Sequence, residues 1–189
     1  MTETMTLITK HIVNTPSEII HFPVGVPNDY RKELIEESYR LKKEKKEKNH
    51  STFKDVFNED KDSVVCSSYA LWEDSNKFDK LFDVLEKAII EFSIPIREYN
   101  YKILNAWLGI YGKGQNANKH CHVPFYKSFC YYISAEEPHT PMVFNEANIE
   151  IEAITDRLII FPSYLNHSVP SSNGGERIMI AGNVGMIWD

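Results

Sequence analysis

Apolar residues recur at helical spacing in the first half of the chain. Tyr30, Leu34 and Leu41 lie on one face of a segment that predicts a helix over 28–47. From Ser75 onward, the i, i+3, i+4, i+7 spacing of an amphipathic helix is followed by Phe78, Leu81, Phe82, Leu85, Ile89 and Phe92. We expect this second helix to cover one side of a sheet.

The segment between these two helices has a weaker pattern. Residues 50–63 are polar and lack periodicity, which predicts a surface loop. Residues 64–72 fit either a strand or a buried extended piece.

Short runs rich in β-branched and aromatic residues replace the helical spacing after Pro95. They span 101–111, 125–134, 142–144, 149–154, 158–161 and 177–184. Closely spaced strands of this kind predict an all-β sandwich or barrel. Because there is no internal repeat and no low-complexity linker, we expect a single domain over 1–189. In it, 1–97 would give helical and extended support, and 98–189 would form the strand-rich core.

Composition narrows the expected partners and compartment. A net charge of -6 gives no general attraction to phosphate backbones, so nucleic acid is not an expected partner. No apolar run approaches the roughly 18 residues of a bilayer span, so no membrane association is expected. Cys66, Cys121 and Cys130 lack the spacing of a disulfide framework, which indicates a reducing compartment. We expect a cytoplasmic protein, either a monomer or a homodimer.

Three of the seven histidines carry the main chemical signal. His120 and His122 lie two residues apart before the run at 125–134, and His167 follows the run at 158–161. Alternate side chains of an extended segment face the same way, so both imidazoles of the pair can point into a barrel. A non-haem iron(II) oxygenase needs three ligands on one face of the metal. Two ligands from one strand and one from a distant strand would provide them.

These residues belong to motifs that resemble the 2-oxoglutarate- and iron(II)-dependent dioxygenases of the prolyl-hydroxylase-like group. The resemblance spans about 101–187 and rests on HCHVP at 120–124, SFCYYI at 128–133, FPSYLNHSVP at 161–170 and Arg177. It is closest to 2-oxoglutarate oxygenases of marine bacteria and their phages; a phage-encoded protein would be located in the cytoplasm of its host. The resemblance implies a mainly β fold, with a double-stranded β-helix (jelly-roll, cupin-like) core flanked by N-terminal α-helices.

The resemblance also implies a hydroxylase that uses Fe(2+), 2-oxoglutarate and O2 and releases succinate and CO2, with ascorbate as an optional supporting reductant. His120 and His167 would bind the iron. Arg177 would bind the distal carboxylate of 2-oxoglutarate, because its planar fork can grip both carboxylate oxygens. Tyr132 would donate its phenol to the same carboxylate, although a purely structural core tyrosine is an equally open interpretation.

His122 departs from the better-known His-x-Asp pattern, in which a carboxylate is the third ligand. The H-x-H pattern makes His122 the expected third ligand, and a neutral imidazole there would make the site one unit more positive and would also suit zinc, copper or nickel. Glu136, Glu137 or Glu146 could complete the triad instead. A second departure is Phe129, which stands where the related proteins have glycine.

The motifs do not determine the substrate. Positions 111–119, 125–127 and 164–166 are expected at an exposed barrel mouth, where they would select a peptide or protein residue, an amino acid or another small molecule. A prolyl residue is the first expectation, by resemblance alone. Asn183 is interpreted as either a site or a scaffold residue, and the DRL triplet at 156–158 as structural.

Two other functions stay open. One is a three-histidine metal dioxygenase that needs no 2-oxoglutarate. The other is a non-catalytic metal-binding jelly-roll module in which the histidines have a structural role.

Overall fold

The computed structural model of the chain describes residues 8–14, 17–48, 64–93, 100–137, 140–171 and 174–187. The loop predicted over 50–63 lies outside these residues. Within them, the helices are α1 (Asn28–Lys48), α2 (Leu71–Asp74) and α3 (Asp79–Ser93). The strands are β1 (Thr9–Asn14), β2 (Ser17–Pro23), β3 (Asn100–Tyr111), β4 (Ala117–His120), β5 (Lys127–Ala135), β6 (Met142–Phe144), β7 (Ile149–Ile151), β8 (Arg157–Pro162), β9 (His167–Val169) and β10 (Arg177–Ile187).

Two sheets with antiparallel pairing form the frame. The larger sheet has six strands in the order β1-β2-β8-β5-β10-β3, and the smaller sheet has four in the order β4-β9-β6-β7. Phe144 of the smaller sheet meets Phe161 of the larger sheet edge to face, with 5.0 Å between ring centroids. The two sheets therefore pack face to face across a shared core.

Alternate side chains of β5 lie in two different cores, one on each face of the larger sheet. Tyr131 and Ile133 lie in a core shared with the helices, whereas Cys130 and Tyr132 lie in the core between the sheets. Successive side chains of a strand point to opposite faces, so helices cover one face of the larger sheet and the smaller sheet covers the other. This is a mainly β, double-stranded β-helix fold with N-terminal helices, as the sequence predicted.

The two predicted helices bury the faces that their periodicity indicated. On α3, Leu81, Leu85 and Ile89 are fully buried against the larger sheet. A short 3-10 turn (Asn76–Phe78) precedes α3, and the Ser75 side chain accepts a hydrogen bond from the backbone N–H of Lys77 at its start. Ser75 therefore begins the helical region, as expected, although the α-helix itself starts at Asp79.

The N-terminal part contributes strands as well as helices. β2 pairs with β8 and so extends the six-stranded sheet, while β1 forms its edge. Asp156, in the turn before β8, accepts hydrogen bonds from the backbone N–H groups of Gly25 (2.7 Å) and Val26 (3.1 Å) and from the hydroxyl of Tyr131 (2.8 Å). One carboxylate thus connects the segment after β2 to the sheet. In the described part of the chain, no helix is long and apolar enough to cross a membrane.

Candidate metal centre

Three histidines meet where β4 and β9 pair. His120 ends β4 and His167 begins β9, and the two are partners in the antiparallel register. His122 lies two residues beyond β4, where its backbone N–H donates to the carbonyl of Ser163 at 2.7 Å. The ring centroids are 4.4 Å apart for His120 and His167 and 5.0 Å apart for the other two pairs. One nitrogen of each ring lies within 4.8 Å of the others, close enough to share a metal ion.

Backbone carbonyls orient two of the three rings. The Nδ1 atom of His120 lies 2.7 Å from the carbonyl oxygen of Asn118, and that of His167 lies 3.1 Å from the carbonyl oxygen of Leu165. A carbonyl oxygen can only accept, so each Nδ1 carries the proton and each Nε2 presents a lone pair. Metal-binding histidines in proteins are commonly fixed by this kind of contact.

Burial keeps the three imidazoles neutral. Together with a smaller effect of the neighbouring histidines, it lowers the pKa of His122 to about 4 and that of His167 to about 3. Burial also lowers the pKa of His120, partly opposed by its hydrogen bond to the Asn118 carbonyl. At neutral pH all three rings therefore offer uncharged nitrogen, the form that binds a divalent cation.

The structure brings His122, and none of the three glutamates considered as alternatives, to the other two histidines. Glu146 is exposed and forms an ion pair with Lys119, with 2.7 Å between the carboxylate oxygen and Nζ. Glu136 and Glu137 lie at or beyond the far end of β5 and are exposed. Over the residues that the structure describes, the cluster has three imidazoles and no carboxylate.

Arg177 lies in the same cavity as the histidines and is 3 % exposed. It begins β10, pairs in register with Tyr111 of β3, and places its guanidinium carbon 4.7 Å from the centroid of the Tyr111 ring. Its Nη1 donates to the carbonyl of Thr140. Its Nη2 is buried and has no hydrogen-bond partner among the described residues. A buried cation with a free donor is suited to an anionic ligand.

Tyr132 also lines this cavity and is buried. Burial, the largest cause, raises its pKa, and its hydroxyl is hydrogen-bonded to Cys130. The phenol is therefore protonated at neutral pH, and its one proton is used in the bond to Cys130, since a hydrogen bond that raises the pKa of a phenol is one in which the phenol donates. Tyr132 and Arg177 border one space, whose apolar wall includes Met142, Phe161, Val169, Met179 and Ala181.

The sequence did not predict the positions of two aromatic residues in the site, Tyr111 and Trp107. Tyr111 was expected at the exposed barrel mouth, but it is 3 % exposed because its ring packs beneath Arg177. Trp107 was not singled out, yet it lines the cavity and its ring centroid lies 5.6 Å from that of His122. Residues 107 and 111 are an even number of positions apart on one strand and so share a face. That alternation was the available signal.

Asn183 belongs to a buried hydrogen-bonded chain beside the site. Its Oδ1 accepts from the hydroxyl of Ser128 at 2.6 Å, and its Nδ2 donates to the side-chain oxygen of Asn105 at 2.8 Å. The Ser128 hydroxyl also lies 3.0 Å from that of Ser163, whose carbonyl receives the His122 N–H. These contacts favour the scaffold interpretation of Asn183, since its side-chain amide is used in joining β3, β5 and β10.

The fold is shared with several solved structures. One is a viral collagen prolyl hydroxylase from Paramecium bursaria Chlorella virus-1 in complex with 2-oxoglutarate, with 14% identity, a TM-score of 0.61, and coverage of 88% of this chain and 94% of that one. A prolyl-4-hydroxylase of Pseudomonas putida has 11% identity and a TM-score of 0.60, with coverage of 90% of this chain and 94% of that one.

A third similar structure is a prolyl hydroxylase from Trichoplax adhaerens in complex with a peptide fragment of the hypoxia inducible factor oxygen degradation domain. It has 13% identity and a TM-score of 0.57, with coverage of 87% of this chain and 82% of that one. No family model matches the sequence, and no curated protein is similar enough in sequence to be matched. At such low identities, these similarities establish the fold alone.

Proposed function

We propose that this protein is a 2-oxoglutarate- and iron(II)-dependent dioxygenase. The observation that carries the proposal is the combination, in one cavity, of three neutral histidines and a buried arginine whose Nη2 has no partner among the residues described. Histidine nitrogen can hold the metal, and the guanidinium can hold a carboxylate of the keto acid. The motif resemblance and the fold shared with prolyl hydroxylases support the same conclusion.

His120, His122 and His167 would hold the metal. Three imidazoles from one side of an ion leave its other positions open, as an oxygenase requires. Iron(II) with 2-oxoglutarate and dioxygen supplies the oxidising chemistry, in which the keto acid leaves as succinate and carbon dioxide and the substrate is hydroxylated. The protein's contribution is to position these partners within a largely apolar cavity.

Arg177 would anchor the distal carboxylate of 2-oxoglutarate, and Tyr132 would turn its phenol proton from Cys130 to the same group. Arg177 fits this role because one of its two terminal nitrogens is held by the Thr140 carbonyl, while the other has no partner in the part of the chain that the structure describes. The Tyr111 ring beneath the guanidinium keeps its plane fixed. A preorganised cation loses little side-chain entropy when a ligand binds.

The substrate belongs to the same proposal. We infer a protein or peptide residue, or a small amino-acid-like molecule, because one similar structure holds a peptide. Val123, Tyr126 and Tyr164, which are exposed and close to the histidines in sequence, could contact such a chain. The proposal also includes two further points. We propose that the protein is related to the oxygenases of marine bacteria and phages, and that residues 1–189 form a single domain. The pairing of β2 with β8 supports the single domain, because it joins the N-terminal part to the strand-rich core.

The metal-to-ligand absorption of the loaded site tests the proposal. Anaerobic protein with iron(II) should gain a weak visible band only when 2-oxoglutarate is added. His120→Ala and His167→Ala should abolish the band. Arg177→Ala should raise the 2-oxoglutarate concentration for half-saturation by about tenfold or more, because a charge-assisted hydrogen bond contributes about 1.5–3 kcal/mol.

Arg157→Ala is a matched control, since Arg157 lies outside the cavity lining. It should leave the half-saturation concentration unchanged. Metal-dependent oxygen consumption that needs no keto acid would instead favour a three-histidine dioxygenase. Tight metal retention with no spectral response to any added ligand would favour a non-catalytic module.

A further inference from the structure

Trp107 provides, besides Arg177, a second buried donor that has no hydrogen-bond partner among the described residues. Over the described residues, only two buried side-chain nitrogen or oxygen atoms lack a hydrogen-bond partner, the indole Nε1 of Trp107 and Nη2 of Arg177. Both residues line the cavity that contains the three histidines. Leaving a buried donor unpaired costs about 1–3 kcal/mol, so two in one cavity indicate a ligand with an acceptor for each.

The two donors lie at different positions along the cavity. Arg177 is opposite Tyr111 on β3, whereas Trp107 lies four residues earlier on the same strand, opposite Ala181. Four strand residues correspond to about 13 Å of backbone. The Trp107 ring lies beside His122, with 5.6 Å between ring centroids. Trp107 therefore belongs to the metal end of the cavity and Arg177 to the other end.

Packing fixes the Trp107 ring in this place. Tyr69 contacts it edge to face, with 5.2 Å between ring centroids, while His122 covers another part of it. Trp107 is only 6 % exposed. A ring held between two aromatic neighbours keeps its N–H in one direction at little entropic cost on ligand binding.

The charge of the donor set favours an anionic acceptor near Trp107. Because three neutral imidazoles add no charge, a site with a divalent metal would have a net charge of +2. This is one unit more positive than a site with two histidines and a carboxylate. A carboxylate bound at the metal would be attracted by this charge and could accept the indole proton. A diacid would then be recognised at both ends.

We propose that the indole N–H of Trp107 donates a hydrogen bond to the metal-side carboxylate of the bound 2-oxo acid. This inference rests on the proposed function, because it assumes that a 2-oxo diacid occupies the cavity. It assigns Trp107 as a residue that binds the cosubstrate, beside Arg177 at the opposite end.

Proton-detected spectra of the indole groups test the assignment. The full chain has three tryptophans, Trp72, Trp107 and Trp188. In the 15N-labelled, zinc-loaded protein, which cannot turn over, 2-oxoglutarate should move the Trp107 indole N–H signal downfield and slow its exchange with water. Trp107→Phe identifies the signal and removes the donor. By calorimetry, it should weaken 2-oxoglutarate binding by about tenfold or more.

Trp72→Phe is the matched control. Trp72 is exposed and packs on Phe82, away from the cavity, so this variant should bind 2-oxoglutarate as the wild type does. If Trp107→Phe does not fold, Trp72→Phe and Trp188→Phe assign their own signals, and the remaining wild-type signal decides the result.

Two negative results have different meanings. If the wild type binds 2-oxoglutarate while the Trp107 signal is unmoved, the Trp107 assignment is wrong and the proposed function stands. If calorimetry detects no 2-oxoglutarate binding to the metal-loaded wild type, the proposed function fails, and the Trp107 assignment fails with it.

Discussion

A single imidazole determines the charge of the candidate centre. His122 is one of the three imidazoles of the cluster, to which the described residues supply no acid. Its Nε2 lies 3.3 Å from that of His167, a separation that two ligands of one ion can have. The low pKa that burial gives His122 makes it a neutral ligand. The site therefore has a net charge set by the metal alone.

Substituting His122 and Glu146 in turn tests which of the two residues supplies the third metal ligand. His122→Ala should lower the affinity for zinc or cobalt by about a hundredfold or more, since losing even a group that only supports a ligand costs 10–100-fold. Glu146→Gln should leave the affinity unchanged, because Glu146 is paired with Lys119 at the surface. Competition with a chromophoric chelator measures both values. Loss of affinity in Glu146→Gln alone would contradict the three-histidine centre.

Strands and turns bring distant residues to this centre. Phe129 illustrates how an element accommodates a bulky residue. Phe129 pairs with Gly182 of β10, and a Cβ atom at Gly182 would lie 2.7 Å from the Phe129 ring. It would also lie 2.5 Å from the carbonyl oxygen of Asn105. Glycine at 182 thus leaves space for both the Phe129 ring and the close approach of β3.

The turn before β8 depends on Asp156. Its backbone has a φ of 69°, and its carboxylate accepts from Gly25, Val26 and Tyr131. Asp156→Ala should lower the free energy of unfolding by about 2–4 kcal/mol, because it leaves these donors unpaired and puts alanine in a left-handed conformation. Asp156→Asn should cost less, since asparagine tolerates that conformation and keeps one acceptor oxygen. Urea unfolding measures both, and equal losses would argue against the hydrogen bonds as the cause.

Long periodic elements were predicted better than short ones. The helix expected over 28–47 is observed as Asn28–Lys48, and the run at 177–184 is part of the longer strand Arg177–Ile187. The predicted run at 149–154 is shorter, Ile149–Ile151, because the following residues lead into the turn at Asp156. β4 and β9 were missed because they have only four and three residues and are too short and polar to show alternation.

The segment at 64–72 shows why a weak pattern stayed ambiguous. Val65 and Ala70 each form a single bridge to β3, and the chain then enters α2 at Leu71. It is therefore largely a buried extended piece, one of the two predicted forms. Its pairing depends on β3, which is distant in sequence, and no local pattern contains that information.

At the scale of the whole molecule, the site consists of residues that are distant in sequence. Their spacing indicated which residues belong together but not how they are arranged. The motifs indicated His120, His122, His167 and Arg177, and the structure brings all four to one cavity. They could not indicate Trp107, because only the folded packing shows that its indole Nε1 is buried with no partner among the described residues. Nor could they exclude the glutamates, because the Lys119–Glu146 ion pair exists only once the chain is folded.

Burying three neutral histidines should make the metal-free protein sensitive to mild acid. Their pKa values are lowered by burial, to about 4 for His122 and about 3 for His167, whereas in the unfolded chain a histidine titrates near 6.5. Between these values the unfolded chain binds more protons than the native protein. Their contribution to stability is therefore complete above pH 6.5 and is lost progressively as the pH falls toward the native pKa values.

The slope of the free energy of unfolding against pH can be measured in a range where carboxylates do not yet titrate. Between pH 6.5 and 5, each such histidine lowers the free energy of unfolding by up to about 1.4 kcal/mol per pH unit. Glu37, whose pKa is lowered to about 2 chiefly by its hydrogen bond to Arg40, contributes only at lower pH. In urea titrations with a chelator present, His122→Phe should flatten the slope by up to that amount. An unchanged slope would mean that His122 titrates alike in the native and the unfolded chain, which would contradict a pKa lowered by burial.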